Sequence, residues 1–134
     1  MPDYIGSIRV ELAQGLPMNI MEARAFCNQA KGVLSDDEIA TIKIDLALNP
    51  TGSPIIEGTG GVRKYRVACG NKGKSNGARV IYYYHDREMP ICLLAVYQKS
   101  EKISLTDVEK AAMRRYVREF VRVHRVRHMP RMIS

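Results

Sequence analysis

The spacing of apolar positions divides the chain into a series of elements. Ser35-Asp36-Asp37-Glu38 is a capping box, in which the Ser hydroxyl and the Glu carboxylate each satisfy an otherwise orphaned backbone amide. Ile39, Ile42 and Leu46 follow at helical spacing, widened by Ala40, Ala47 and Leu48, and Asn49-Pro50 stops the helix. A longer helix is expected over about residues 105–123 or a little beyond. Ser104 or Thr106 caps it, with Glu109 three places after Thr106. Leu105, Val108, Ala112, Tyr116 and Phe120 form its apolar stripe, and Arg114, Arg115, Arg118, Arg122 and Arg125 occupy the remainder. A shorter helical stretch covers about residues 24–31.

Strand signals fill the space between. Residues 62–69, 78–85 and 91–99 read as three strands joined by short loops, which favours antiparallel pairing. Nearer the start, Ile8, Val10 and Leu12 alternate with Arg9 and Glu11 as in a short strand, Gly15 and Pro17 break it, and residues 18–22 suit another. The expected fold class is α+β, with a small, mainly antiparallel sheet and helices packed on one face. At 134 residues the chain has the size of one domain. Residues 1–17 read as an N-terminal extension or an over-called start, 18–124 as the domain, and 125–134 as a basic tail that frays.

Composition narrows the classes. Hydrophobic residues make up 46%, enough for a core and against global disorder. The longest apolar run, near residues 91–96, is far short of the roughly 20 residues of a membrane span. The opening residues carry Asp3, Arg9 and Glu11 and do not resemble a signal peptide, so a cytoplasmic protein with no membrane partner is expected. Net charge is +7, but unevenly spread. Residues 1–57 hold 4 basic and 8 acidic side chains, and residues 58–134 hold 17 basic and 6 acidic ones. A basic second part suggests an anionic partner such as nucleic acid; the competing reading is a solvated surface that aids solubility. Cys27, Cys69 and Cys92 are odd in number and lack Cys-x-x-Cys spacing, so they read as buried, inert thiols.

Two motifs fail on inspection. Residues 68–75 end in Gly73-Lys74-Ser75 like a phosphate-binding loop, but Ala68 stands where that loop needs Gly and a strand follows instead of a helix. His124 and His128 lie four apart, yet two ligands among arginines do not make a metal site, and a solvated basic face is the better reading. No metal and no cofactor is expected.

Strand alternation gives the stronger signal. With Tyr65, Val67, Val80, Tyr82, Leu94 and Val96 toward the helices, the other face collects Lys64, Arg66, Arg79, Lys99, Tyr83 and Tyr97. Four cations and two aromatics on one face suit single-stranded RNA, since cations hold phosphates and rings stack on bases. Lys72 and Lys74 of the glycine-rich loop extend that charge. The alternative is that cations on a sheet edge serve solubility.

At this point Asn49-Pro50, Gly58-Thr59-Gly60-Gly61-Val62-Arg63-Lys64-Tyr65-Arg66, Gly73-Lys74-Ser75-Asn76-Gly77-Ala78-Arg79-Val80-Ile81-Tyr82-Tyr83 and Val96-Tyr97-Gln98-Lys99-Ser100-Glu101-Lys102 resemble the HigB-like branch of the RelE/ParE toxin superfamily. The similarity runs over about residues 18–120. It implies a RelE-like fold and the toxin half of a bacterial type II toxin–antitoxin pair. Such toxins cleave mRNA on the translating ribosome, are neutralised by an antitoxin usually of helix-turn-helix type, and meet operator DNA only through that antitoxin. The family's basic positions fall on Lys64, Arg66, Arg79 and Lys99. Tyr97 joins them as a catalytic candidate, and Arg63, Lys72, Lys74 and Tyr83 are the RNA-binding candidates. Two departures stand out: Ser53-Pro54 where the family often has Gly-Asp, and Asn76 where it commonly has Gly.

The chemistry expected of these residues is metal-independent RNA cleavage. The 2′-hydroxyl attacks the adjacent phosphate and needs a base, an acid for the leaving oxygen, and charge stabilisation in between. No histidine lies among the four cations; His85 sits at a strand end. Crowded like charges make a neutral lysine accessible, so Lys64 or Lys99 is expected to move the proton while Arg66 and Arg79 hold the phosphate. Two alternatives stand beside this reading: a ParE-type inhibitor of DNA gyrase without RNase activity, and a non-catalytic RNA-binding module.

Overall fold

A computed structural model describes residues 4–11, 17–68, 77–102 and 104–128. The chain order is β1 (Tyr4–Glu11), β2 (Pro17–Ala23), α1 (Arg24–Ala30), α2 (Asp36–Leu48), β3 (Arg63–Val67), β4 (Ala78–Tyr83), β5 (Ile91–Gln98) and α3 (Asp107–His128). The strands form one five-stranded sheet in the order β1-β2-β5-β4-β3. Every pair is antiparallel except β2 with β5, which run parallel. The fold is the expected α+β class with a mainly antiparallel sheet.

Both capping boxes form. Glu38 N–H donates to Ser35 Oγ at 3.1 Å, and Ser35 N–H to Glu38 Oε1 at 2.8 Å. Asp36, Asp37 and Glu38 fill the first turn of α2, where negative charge meets the positive end of the helix dipole. Of the two caps proposed for α3, Thr106 is the one used: its amide donates to Glu109 Oε1 at 2.8 Å and its hydroxyl accepts from the Glu109 amide at 3.2 Å.

The helices do not share one face. Phe26 and Ala30 of α1 and Ile42, Leu46 and Ala47 of α2 pack on Ile20, Val80, Tyr82, Leu93 and Val96. Val117 and Phe120 of α3 pack on the reverse side, against Met21, Ile81, Tyr83, Cys92 and Leu94. The sheet is therefore sandwiched, which is why every residue of β4 is buried. The expected stripe on α3 is also rotated. Val108 is 77% exposed and Ala112 is exposed, while Val117, Phe120 and His124 are buried with Met113 and Tyr116 beside them. His124 is no part of a solvated face: its Nδ1–H donates to the Phe120 carbonyl at 3.0 Å, and its ring lies 4.2 Å from that of Phe120. The helix runs to His128, past residue 123 and into the stretch expected as a basic tail.

A β-bulge displaces a second expectation. Ile81 pairs with Ala95 but Tyr82 pairs with Leu93, so Leu94 is the extra residue. Its insertion turns Leu94 toward α3, opposite to Val96, instead of toward α1 and α2.

The loop between α2 and β3 closes over α3. Thr59, fully buried, donates from Oγ1 to the Ile56 carbonyl at 2.7 Å and accepts the Val62 amide at 3.0 Å. Arg114 of α3 donates to the Gly58 carbonyl at 2.6 Å. Cys92 is buried as expected, its thiol pushed up to about 12 by burial, and Cys27 is half-exposed. Cys69 lies outside the described residues. No helix among the described residues is long and apolar enough to cross a membrane.

Candidate functional site

Strand register assembles the central part of the site. Arg66 of β3 stands directly across from Arg79 of β4, and Arg79 directly across from Tyr97 of β5. Directly opposed residues project to the same face. The three strands thus lay two guanidinium-bearing side chains and a phenol in a row on the α3 side of the sheet. Lys64 lies two residues before Arg66, across from Ile81, on that same face. Lys99 follows β5 immediately, and its amide donates to the Gly77 carbonyl at 3.0 Å where β4 begins.

The members of the row differ in exposure. Arg66 is exposed, Lys64, Tyr97 and Lys99 are half-buried, and Arg79 is only 3% exposed. One Arg79 nitrogen donates to the Ala78 carbonyl at 3.2 Å, which holds the guanidinium along its own strand. Burial holds the Tyr97 phenol above its ordinary pKa, and the opposing pull of Arg79 and Lys102 only lessens the rise. Tyr97 therefore remains a neutral hydrogen-bond donor at physiological pH.

The remaining candidates fall elsewhere. Tyr83 is 7% exposed and meets Phe120 edge-on at 6.2 Å, so its ring fills the α3 core and is not open to stacking. Its hydroxyl meets His85 Nδ1 at 2.9 Å. The α3 helix covers the part of the sheet that alternation alone leaves bare. Arg63 sits across from Tyr82 on the opposite face, and its guanidinium donates to the Thr51 and Ser53 carbonyls at 3.2 and 2.7 Å. It clamps the incoming loop and stands apart from the row. Lys72 and Lys74 lie outside the described residues.

One ion pair at the site's rim escapes sequence reasoning. Lys102 bonds both oxygens of Glu109, whose carboxyl is held below its ordinary value by Lys102 and by the Thr106 amide. Glu109 is legible as a helix cap; the approach of Lys102 depends on how the turn after β5 enters α3, which no periodicity encodes. His85 lies at the far end of β4 from Arg79, with Nε2 3.4 Å from Arg125. No cluster of His, Cys, Asp and Glu suited to a metal occurs among the described residues.

Fold and site together define a small α+β protein that carries cations and a phenol across the middle of its sheet. Residues 18–133 match the family model of the RelE toxin of the RelE / RelB toxin-antitoxin system, and the chain belongs to that family. Its role is that of a toxin, with a cognate antitoxin as partner. Toxins of this family are generally mRNA endoribonucleases. Strand β1 lies ahead of the matched segment and pairs with β2 along the sheet's edge, Ile8 opposite Ile20 and Val10 opposite Met18.

Proposed function

We propose that this toxin is a metal-independent mRNA endoribonuclease that acts on the translating ribosome, arrests growth by inhibiting translation, and belongs to the HigB-like branch of its superfamily. The observation that carries the reading is the register row Arg66–Arg79–Tyr97, flanked by Lys64 and Lys99. Arg66 offers an exposed planar fork to the non-bridging oxygens of one phosphate, and the buried Arg79 directly across from it adds positive charge where negative charge builds up in the transition state. The substrate's 2′-hydroxyl attacks phosphorus and loses its proton to Lys64 or Lys99. The other lysine protonates the departing 5′-oxygen, which leaves a 2′,3′-cyclic phosphate and a free 5′-hydroxyl. Tyr97 orients the neighbouring nucleotide. The ribosome supplies mRNA already bent for in-line attack. The neutralising antitoxin is expected to be a helix-turn-helix protein that also links the pair to operator DNA.

Arg66→Ala and Arg79→Lys test the site in an inducible bacterial host, with mRNA 5′ ends mapped after induction. Arg79→Lys is preferred to alanine because the position is buried and an alanine there leaves a hole. Each variant is expected to lower codon-phased cleavage by about 100-fold, the usual effect of losing one transition-state donor. Undiminished cleavage by an equally abundant, folded Arg66→Ala protein rejects the assignment. An SOS response without mRNA cuts from the unmodified toxin indicates gyrase poisoning instead.

A further inference from the structure

Strand β2 stops at Ala23, and its last partner on β5 is Leu93. Beyond that point the β2-facing side of β5 has no strand neighbour, and a cavity of about 370 Å³ opens between β5, α1 and α3. Leu94 and Met113 supply apolar floor, and Tyr97 forms an aromatic wall. Lys102 and Glu109 stand at the rim. Gln29 reaches in from α1, its Oε1 accepting the Val96 amide at 3.0 Å, so its NH₂ group is the donor on that wall. The pocket thus offers two aromatic rings, Tyr97 and Tyr116, an apolar interior, two kinds of donor and a carboxylate acceptor.

We propose that this cavity is a nucleobase subsite for the substrate RNA, receiving the base next to the phosphate held at Arg66 and Arg79. The proposal rests on the endoribonuclease reading and adds to it the residues that select sequence. Tyr97 belongs to both places: it stands directly across from Arg79 and also lines the cavity. Opposed side chains lie roughly 5 Å apart at Cβ, so pocket and phosphate site are within the reach of a single nucleotide. The edges of nucleobases mix N–H donors with oxygen or nitrogen acceptors, which matches a rim made of an ammonium, an amide and a carboxylate. An extended peptide on the bare β5 edge would meet the Gln29 side chain already seated on the Val96 amide.

The test uses the full chain. Binding of the four nucleoside 3′-monophosphates and of ribose 5-phosphate is measured by calorimetry for the wild type and for Ala112→Phe, which fills the cavity from α3 without touching a charged group. Ala25→Leu fills it from α1 and replaces Ala112→Phe if that variant melts early. The wild type is expected to favour at least one base over ribose 5-phosphate by about tenfold, within the range of one base stacked on an aromatic side chain. The filled variant is expected to lose that preference while keeping its affinity for ribose 5-phosphate. Mapped cuts after induction are expected to lose their base preference beside the cleaved bond. Equal affinity of the wild type for all five probes, or an intact preference in the filled variant, overturns the proposal. So does a filled variant that keeps its base preference but escapes its antitoxin, because the cavity is then an antitoxin contact. Absence of mRNA cuts by the wild type strikes the endoribonuclease reading alone, and base-selective binding still answers for the pocket.

Discussion

At the scale of single residues, the most consequential charge outside the site is Lys43. It is buried on α2 and pairs with Glu22 of β2, whose other oxygen accepts the Cys27 thiol at 3.1 Å. Burial raises the Glu22 carboxyl, but the bonds from Lys43 and Cys27 outweigh it and leave the group below its ordinary value. The unfolded chain then binds more protons than the folded one as pH falls through that range, so the contribution is complete above about pH 4.5 and is lost below it. Lys43→Ala is expected to cost about 3 kcal/mol in urea unfolding at pH 7, with the deficit narrowing toward pH 3. The Cys27 thiol, pushed to about 11 by burial and by Glu22, is expected to react slowly with thiol reagents at pH 7. A backbone contrast can be measured in the same way. Gly61 has φ +114° and a methyl group added there would stand 3.3 Å from the Tyr83 ring, whereas Gly32, at φ +79°, has open space around it. Gly61→Ala is expected to cost about 3 kcal/mol and Gly32→Ala about 1 kcal/mol. Neither Lys43 nor His124 was legible in the chain as a buried residue. Each is satisfied by one specific partner, a carboxylate or a helix carbonyl, and pattern reading sees residue type but no partner.

Among the elements, what the sequence states locally it states well. The Ser35–Glu38 and Thr106–Glu109 boxes are short-range chemistry, and both helices begin where those residues stand. Ser35→Ala and Thr106→Ala are each expected to remove about 1 kcal/mol, measured by urea unfolding, with additive effects because the two caps sit on opposite sides of the sheet. The strands of the site, β3, β4 and β5, were legible to within about two residues, and their antiparallel order followed from loop length. Faces were harder. Alternation assigned Arg66, Arg79 and Tyr97 to one side correctly, because β3 pairs with β4 without interruption and the bulge lies beyond Tyr97's pairing. It misplaced Leu94 because a bulge adds one residue to the count and leaves no mark in composition. It misjudged Tyr83 because nothing in a strand's own sequence tells whether a distant helix will cover it. The parallel joining of β2 to β5 is equally non-local, being set by the crossover through α1, α2, β3 and β4.

For the molecule as a whole, charge is sorted by layer. Counted over their sequences, α2 carries a net −3 and α3 a net +4, and the sheet lies between them. The cation row faces the α3 side. On the proposed function, RNA affinity is expected to fall steeply with salt, and Arg66→Ala to lower the slope of log affinity against log salt by about 0.7, the value for one phosphate contact on a single strand. An unchanged slope would place Arg66 away from phosphate. Because the negative and positive layers sit on opposite sides of a thin sheet, the protein is an electric dipole directed through the face that carries the cation row. In the field of a polyanion such a body turns before it touches, and a large share of its encounters begin with the correct side forward. Reversing the sign of two or three exposed positions on α2, far from any substrate atom, would flatten that dipole and slow association at low salt while leaving the chemistry of the bound complex as it was.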